Sequence, residues 1–249
     1  MSDWGLVVFG VAGFLAAILS GISGGGGGFI TTPLAIFLGL TPAQAISTGK
    51  FSGLALAIGS LVGLREANDR VSKARVIPVI VLAFVVGLFV PHIIKAFDNE
   101  AYRVALGVII LLMIPIMIVK KVGVHRYHPK TWQKFVGSGL LTVAFFIVGI
   151  FSGGLGVLVN MVLIGLLGMT AIEANITKRW AQLVLNIAVI LGVLGSGLIV
   201  WQVMAVGVTA TFFGGLIGGK LAVKKGDAFV MNIMIALMFI SGLALIFGA

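Results

Sequence analysis

The stretch SGISGGGGGFITTP, residues 20–33, follows an apolar run over residues 4–20 that reads as a membrane-entering helix. Glycine weakens a helix by roughly 1 kcal/mol relative to alanine, and residues 24–28 are glycine without interruption. Lipid leaves no water to pair a backbone N–H or C=O, so a melted helix at that depth needs protein around it or a wet cavity beside it. What flanks this break, and whether it occurs twice, decides the fold.

The chain has 249 residues, 60% of them hydrophobic and 10% charged. Long apolar segments run over 4–20, 43–64, 75–96, 101–119, 134–150, 178–200, 202–221 and 228–248, close to the ~20 residues that a bilayer core requires of a helix. Two shorter ones, 29–40 and 156–168, each follow a glycine cluster and are too short to cross alone at about 1.5 Å per residue. Helix-long runs point to an all-α polytopic bundle and away from an outer-membrane barrel, whose strands alternate over about ten residues. The chain has no cysteine, which removes disulfides, thiolate metal sites and thiol nucleophiles together. The N-terminus MSDWGLVVFG has no Lys or Arg, unlike a cleaved signal, and is expected to be retained.

The net charge is +10, but its placement matters more than its size. Most basic residues fall in three loops: Arg65, Arg70, Lys73 and Arg75; Lys120, Lys121, Arg126, Lys130 and Lys134; Lys220, Lys224 and Lys225. The positive-inside rule makes all three cytoplasmic. They orient the protein and meet anionic membrane lipids, and the chain has no basic-aromatic module for a nucleic-acid partner.

Residues 20–50 set against 149–179, at an ungapped offset of 129, match at Ser23/Ser152, Gly24/Gly153, Gly25/Gly154, Gly27/Gly156, Leu34/Leu163, Leu38/Leu167, Gly39/Gly168, Thr41/Thr170, Ala45/Ala174 and Thr48/Thr177. The match spans the glycine cluster and the GLTPAQA/GMTAIEA turn, so the chain is read as a duplication. Each half then holds five segments. With all three basic loops inside, the halves are inverted: residues 1–121 form the first repeat, 122–133 a basic cytoplasmic linker and 134–249 the second repeat, with both termini extracytoplasmic. Whether the short segments cross or re-enter stays open at this point.

Inverted repeats with paired broken helices are the pattern of a secondary transporter's binding site. Residues 24–28 and 153–156 would supply non-helical backbone, with Gly25, Gly26, Gly27, Gly154 and Gly156 letting a ligand approach closely. Short helices starting at Phe29 and Leu158 would direct unpaired N–H groups and a positive dipole end at a cavity, which is an anion site. Lys50 aligns with Arg179, and buried cations are costly and usually functional. Asn175, Arg179, Gln182 and Asn186 share one helical stripe. Thr31 and Asn160, aligned just past the glycines, and Ser23 and Ser152 within the clusters complete the candidate substrate-binding set. Neither a cofactor nor a metal is expected. A small anion and membrane lipid are the expected partners, and a homodimer is left open.

The segments GISGGGGGFITTPLAIFLGLTPAQAIST and SGGLGVLVNMVLIGLLGMTAIEANITK, with the apolar pattern over essentially the whole chain, resemble the sulfite exporter TauE/SafE family of membrane permeases. The resemblance implies transport of small sulfur-containing or organic anions, such as sulfite or sulfoacetate, across a prokaryotic cytoplasmic membrane by alternating access. The second copy departs from the first, with Val162 for Pro33 and Ala171 for Pro42.

Two rival functions were weighed. An anion channel should show charge rings or a filter sequence, and neither is present. An intramembrane serine hydrolase would use Ser23 of GISG and needs a histidine within reach; His92 is expected at the outer end and His125 and His128 in a basic loop. The protein is therefore expected not to be an enzyme.

Overall fold

The computed structural model describes residues 3–25, 27–93, 123, 126–151 and 155–247. Among these the regular elements are all helical: α1 (Asp3–Ser23), α2 (Gly28–Phe37), α3 (Pro42–Gly63), a 3₁₀ turn (Arg65–Arg70), α4 (Lys73–Ile93), α5 (Thr131–Phe151), α6 (Gly156–Gly165), α7 (Ala171–Val193), α8 (Trp201–Lys225) and α9 (Asp227–Phe247). Six of them, α1, α3, α4, α5, α7 and α8, are long and apolar enough to cross a membrane. Large apolar side chains such as Phe84, Phe135 and Phe213 stand exposed on their outer faces, as lipid requires and water would not. The apolar segment at 101–119 lies outside the described residues.

The duplication has a local structural counterpart. Both short helices span ten residues. Each is followed by a glycine in the left-handed region, Gly39 at φ 100° and Gly168 at φ 69°, where an L side chain would be strained. Thr41 and Thr170 then N-cap α3 and α7 through matching capping boxes. Thr41 Oγ1 accepts from the Gln44 N–H at 3.2 Å, and Thr170 Oγ1 accepts from the Glu173 N–H at 3.3 Å. Each box satisfies two orphan donors.

That second box corrects one expected boundary. The segment read at 178–200 starts at Ala171, because the Thr170 cap nucleates it, and stops at Val193, ahead of Gly195 and Gly197 at positive φ. The short helices also begin earlier than expected, at Gly28 and Gly156 instead of Phe29 and Leu158. Gly27 is already in a helical conformation, at φ −61° and ψ −32°.

Each short helix folds back along the long one before it. Gly27 lies against Ala16 and Ser20, and Gly13 against Thr31, so α2 runs antiparallel to α1; Gly137 near the start of α5 packs on Leu166 and Leu167 past the end of α6. Glycines also let α8 press onto α1. Gly10 meets Val206, Gly13 meets Ala210, and Gly21 meets Gly215 and Gly218, so the two helices run parallel. This close approach is how small residues hold helices together in lipid.

Candidate functional site

A helix that ends inside a bilayer leaves its last carbonyls without helical donors. At the end of α1 these carbonyls are met by side chains from the second half. The Asn175 amide donates to Gly21 O and Ile22 O, both at 2.9 Å. Asn160 donates to Ser23 O at 2.8 Å, and the Arg179 guanidinium donates to Ser20 O. A cation at a helix C-terminus also meets the negative end of the dipole. Gly24, at φ 77°, turns the chain away, and its own N–H still reaches back to Ser20 O at 2.8 Å.

Lys50 does the same for the other half. Its ammonium donates to Gly149 O at 2.5 Å and Val148 O at 3.3 Å, near the end of α5. At the offset of 129 residues Lys50 corresponds to Arg179 and Gly149 to Ser20. The two halves therefore exchange equivalent contacts: each one's cation caps the other's broken helix at the matching carbonyl. Gln182 Nε2 donates to Gly53 O at 3.2 Å across this same separation of 129, so these aligned residues touch each other.

Lys50, Lys178 and Arg179 are at most 2% exposed, and among the described residues no carboxylate pairs with them; the ion pair seen there joins Arg126 to Glu173. Gln182 is the shared acceptor of Lys178 and Arg179, its Oε1 receiving the Lys178 ammonium at 2.5 Å and Arg179 Nη1 at 3.1 Å. Lys178 also stands against Gly156, where a Cβ would come within 2.6 Å of its Nζ. This is the N-terminal end of α6, where the helix dipole disfavours a cation and favours an anion. Positive charge is thus concentrated at this point.

Gln182 also lines a cavity of about 40 Å³, together with Gly27, Gly28, Thr31, Ser52, Gly53 and Thr211. It lies at the N-terminus of α2. A narrower void of about 20 Å³ shares Thr31, Ser52 and Thr211 and leads toward Leu40 and Val203.

Of the residues singled out in the sequence, Gly27, Thr31 and Gln182 line this cavity. Lys50, Asn160, Asn175 and Arg179 are turned to carbonyl caps. Asn186 is buried with its Nδ2 near Gly53. Gly25 lets the backbone press onto Val157 and Gly156, since a Cβ there would collide with both. Ser23 is held by backbone alone, its hydroxyl 2.9 Å from Leu19 O and 2.8 Å from Gly25 O and accepting from the Gly25 N–H. No histidine contacts it among the described residues. Gly26, Ser152 and Gly154 lie outside the described residues.

Sequence reasoning missed Lys178, Ser52, Gly53 and Thr211. Lys178 opens the segment expected at 178–200, where a lysine would reach the membrane surface, yet it is 1% exposed. Gly53 could have been found, because the offset of 129 places it opposite Gln182; nothing marked Ser52 or Thr211 among the other helix hydroxyls.

The description of the matching family model is "Sulfite exporter TauE/SafE", and the match covers residues 9–245. Relatives include a "Probable membrane transporter protein" of Haemophilus influenzae, 25% identical over 94% of this chain and 91% of its own length. The "Probable membrane transporter protein YjnA" of Bacillus subtilis is 29% identical over 94% of this chain and 97% of its own. A third, from a Sinorhizobium species, is 21% identical over 90% and 86%. No solved structure matches the chain. With six candidate spans among the described residues and a match over almost its whole length, this multi-pass chain belongs to the sulfite exporter TauE/SafE family of membrane transporters.

Proposed function

We propose that this protein is a secondary transporter, not an enzyme, that carries small sulfur-containing or organic anions, sulfite or sulfoacetate among them, across a prokaryotic cytoplasmic membrane. One observation carries the reading: Gln182 lines a small cavity at the N-terminus of α2 while two buried cations donate to its carbonyl oxygen. The solute is then held by α2 amides, by the hydroxyls of Thr31, Ser52 and Thr211 and by the Gln182 amide, with Lys178 and Arg179 supplying the field behind it. Lys50 and Arg179 act on the anion through charge and through the helix ends they cap. A dry neighbourhood makes such charges worth several times their value in water.

The exchange of equivalent caps supports two repeats, residues 1–121 and 134–249 joined by the linker 122–133, related by a pseudo-two-fold axis. Inversion of the halves, external termini and re-entry of the hairpins α1–α2 and α5–α6 follow from the basic loops lying inside. In this reading the two halves rock about the axis to open the site to one side and then the other.

The test is flux into proteoliposomes containing purified protein, with sulfite, thiosulfate, sulfoacetate, taurine and acetate offered separately. Saturable uptake of sulfite or a sulfonate, with acetate weaker, supports the reading. Unsaturable conductance identifies a channel, and no flux of any of the five overturns the anion assignment.

A further inference from the structure

A larger cavity lies apart from the one at Gln182. It has a volume of about 380 Å³ and opens between the first turns of α4 and α5, beneath the loop at His128 and Pro129. This size is ordinary for a ligand site. We propose that it is a binding site for the headgroup and upper chain of an anionic phospholipid.

Arg75, His128 and Lys134 stand at the mouth, and no carboxylate lines it. The Nη1 of Arg75 is buried and has no hydrogen-bond partner among the described residues, a donor left for a ligand. Both α4 and α5 begin at this mouth, at Lys73 and Thr131, so both present the positive ends of their dipoles. Basic pockets between helices at a cytoplasmic membrane face are where acidic lipid headgroups bind.

The floor distinguishes a lipid from a free anion. Below the basic rim the lining turns apolar, through Pro78, Val79, Leu82 and Leu141. From Ala74 to Leu82 the wall descends eight residues, about 12 Å of helix, which is deeper than the headgroup layer of about 5–8 Å and reaches the level of the acyl chains. A small hydrated dianion gains nothing from such a floor and would lose water against it. An amphiphile with a phosphate at Arg75 and methylenes along Leu82 satisfies both zones.

The test uses the full chain in nanodiscs of phosphatidylcholine alone or with one fifth phosphatidylglycerol, with retained lipid measured by native mass spectrometry. The wild type is expected to retain phosphatidylglycerol in preference to phosphatidylcholine. Arg75→Gln with Lys134→Gln should lower that preference about 30-fold, the loss expected for two basic groups near an anionic headgroup. Leu82→Trp, which fills the floor and leaves every charge in place, should lower it too. Equal retention of the two lipids by the wild type, or an unchanged preference in both variants, overturns the proposal. So does displacement of the lipid by millimolar inorganic phosphate or sulfite, which would mark a free-anion site. None of these outcomes depends on flux through the Gln182 cavity.

Discussion

Gln182 is where charge, cavity and symmetry meet, so replacing it separates fold from function. In Gln182→Glu the buried pair of cations gains a carboxylate at the position of an amide that accepts at 2.5 Å from Lys178 and 3.1 Å from Arg179. The two hydrogen bonds to the cations become ion pairs, which offset the donor that Gly53 O loses, and the bundle holds its stability. An anion in the 40 Å³ cavity that this side chain lines then sits beside a like charge. At about 4 Å and an effective dielectric of ~20 the repulsion is roughly 4 kcal/mol, close to three decades in affinity at ~1.4 kcal/mol each. Gln182→Leu keeps most of the volume but strips both cations of an acceptor. At ~1.5–3 kcal/mol per hydrogen bond to a charged group, the loss is roughly 3–6 kcal/mol, or at least about 6 °C in melting temperature for a chain of this size. Sulfite binding by calorimetry and thermal unfolding in detergent give the two readouts. The expected pattern is a stable, non-binding glutamate variant and an unstable leucine variant. A glutamate variant that binds sulfite within about threefold of the wild type would refute the placement of the anion at this cavity.

Gly24→Ala should cost about 2–5 kcal/mol. It incurs ~1–2 kcal/mol of left-handed strain and displaces Asn160 from Ser23 O, leaving a buried carbonyl unpaired at ~1–3 kcal/mol. Gly195→Ala, at φ 86° with no atom within 4 Å of the new Cβ, should cost the strain alone; equal losses in denaturant titrations would mean that the tip contact is not formed. Glu173→Gln should change stability by less than about 1 kcal/mol and leave flux intact. Gln44 already closes the same capping box, and the Arg126 partner is 43% exposed, where an ion pair contributes little. Loss of proton-dependent uptake in that variant would instead make Glu173 a proton carrier. Lys50→Met should slow anion flux while Lys50→Arg restores it, because a guanidinium fulfils the equivalent role at position 179; equal flux in all three proteins would remove Lys50 from the transport reading.

Much of this was legible before any coordinates, and the parts that were not have identifiable causes. Length and hydropathy located the long helices because lipid enforces both. The glycine clusters revealed the two breaks, since nothing else explains five glycines after a membrane helix. The direction of the buried cations was not legible. Spacing shows that Lys50 and Arg179 lie nine residues beyond their capping threonines, but the atoms they face belong to the other half, 99 and 159 residues away along the chain. Their hydrogen-bond partners there are backbone carbonyls, which leave no mark in a sequence. Lys178 and the 171–193 helix were misjudged together: starting that helix at 178 put a lysine at its exposed end, whereas the Thr170–Glu173 box moves the start back two turns and buries it.

The exchanged caps also account for one place where the two halves differ, at Gly53 and Gln182. In the proposed arrangement a pseudo-two-fold axis relates the halves, and a contact between two aligned residues, as between Gly53 and Gln182, falls on that axis, because elsewhere a residue meets some other position and is met in return. Two large side chains cannot share an axial position. A Cβ on Gly53 would already lie 2.8 Å from Asn186 Nδ2 and 3.4 Å from Gln182 Nε2. One copy therefore keeps a glycine and the other projects a side chain into the space both would claim. That side chain is an amide, so it can accept from Lys178 and Arg179 on one side and donate to Gly53 O on the other. In the proposed cycle a group on the axis is displaced least when the halves rotate against each other, whereas Lys50 and Arg179, each bonded to a carbonyl of the other half, trade those partners. In the proposed transport cycle this places the anion's fixed contact at Gln182 and the switching contacts at the two capped helix ends.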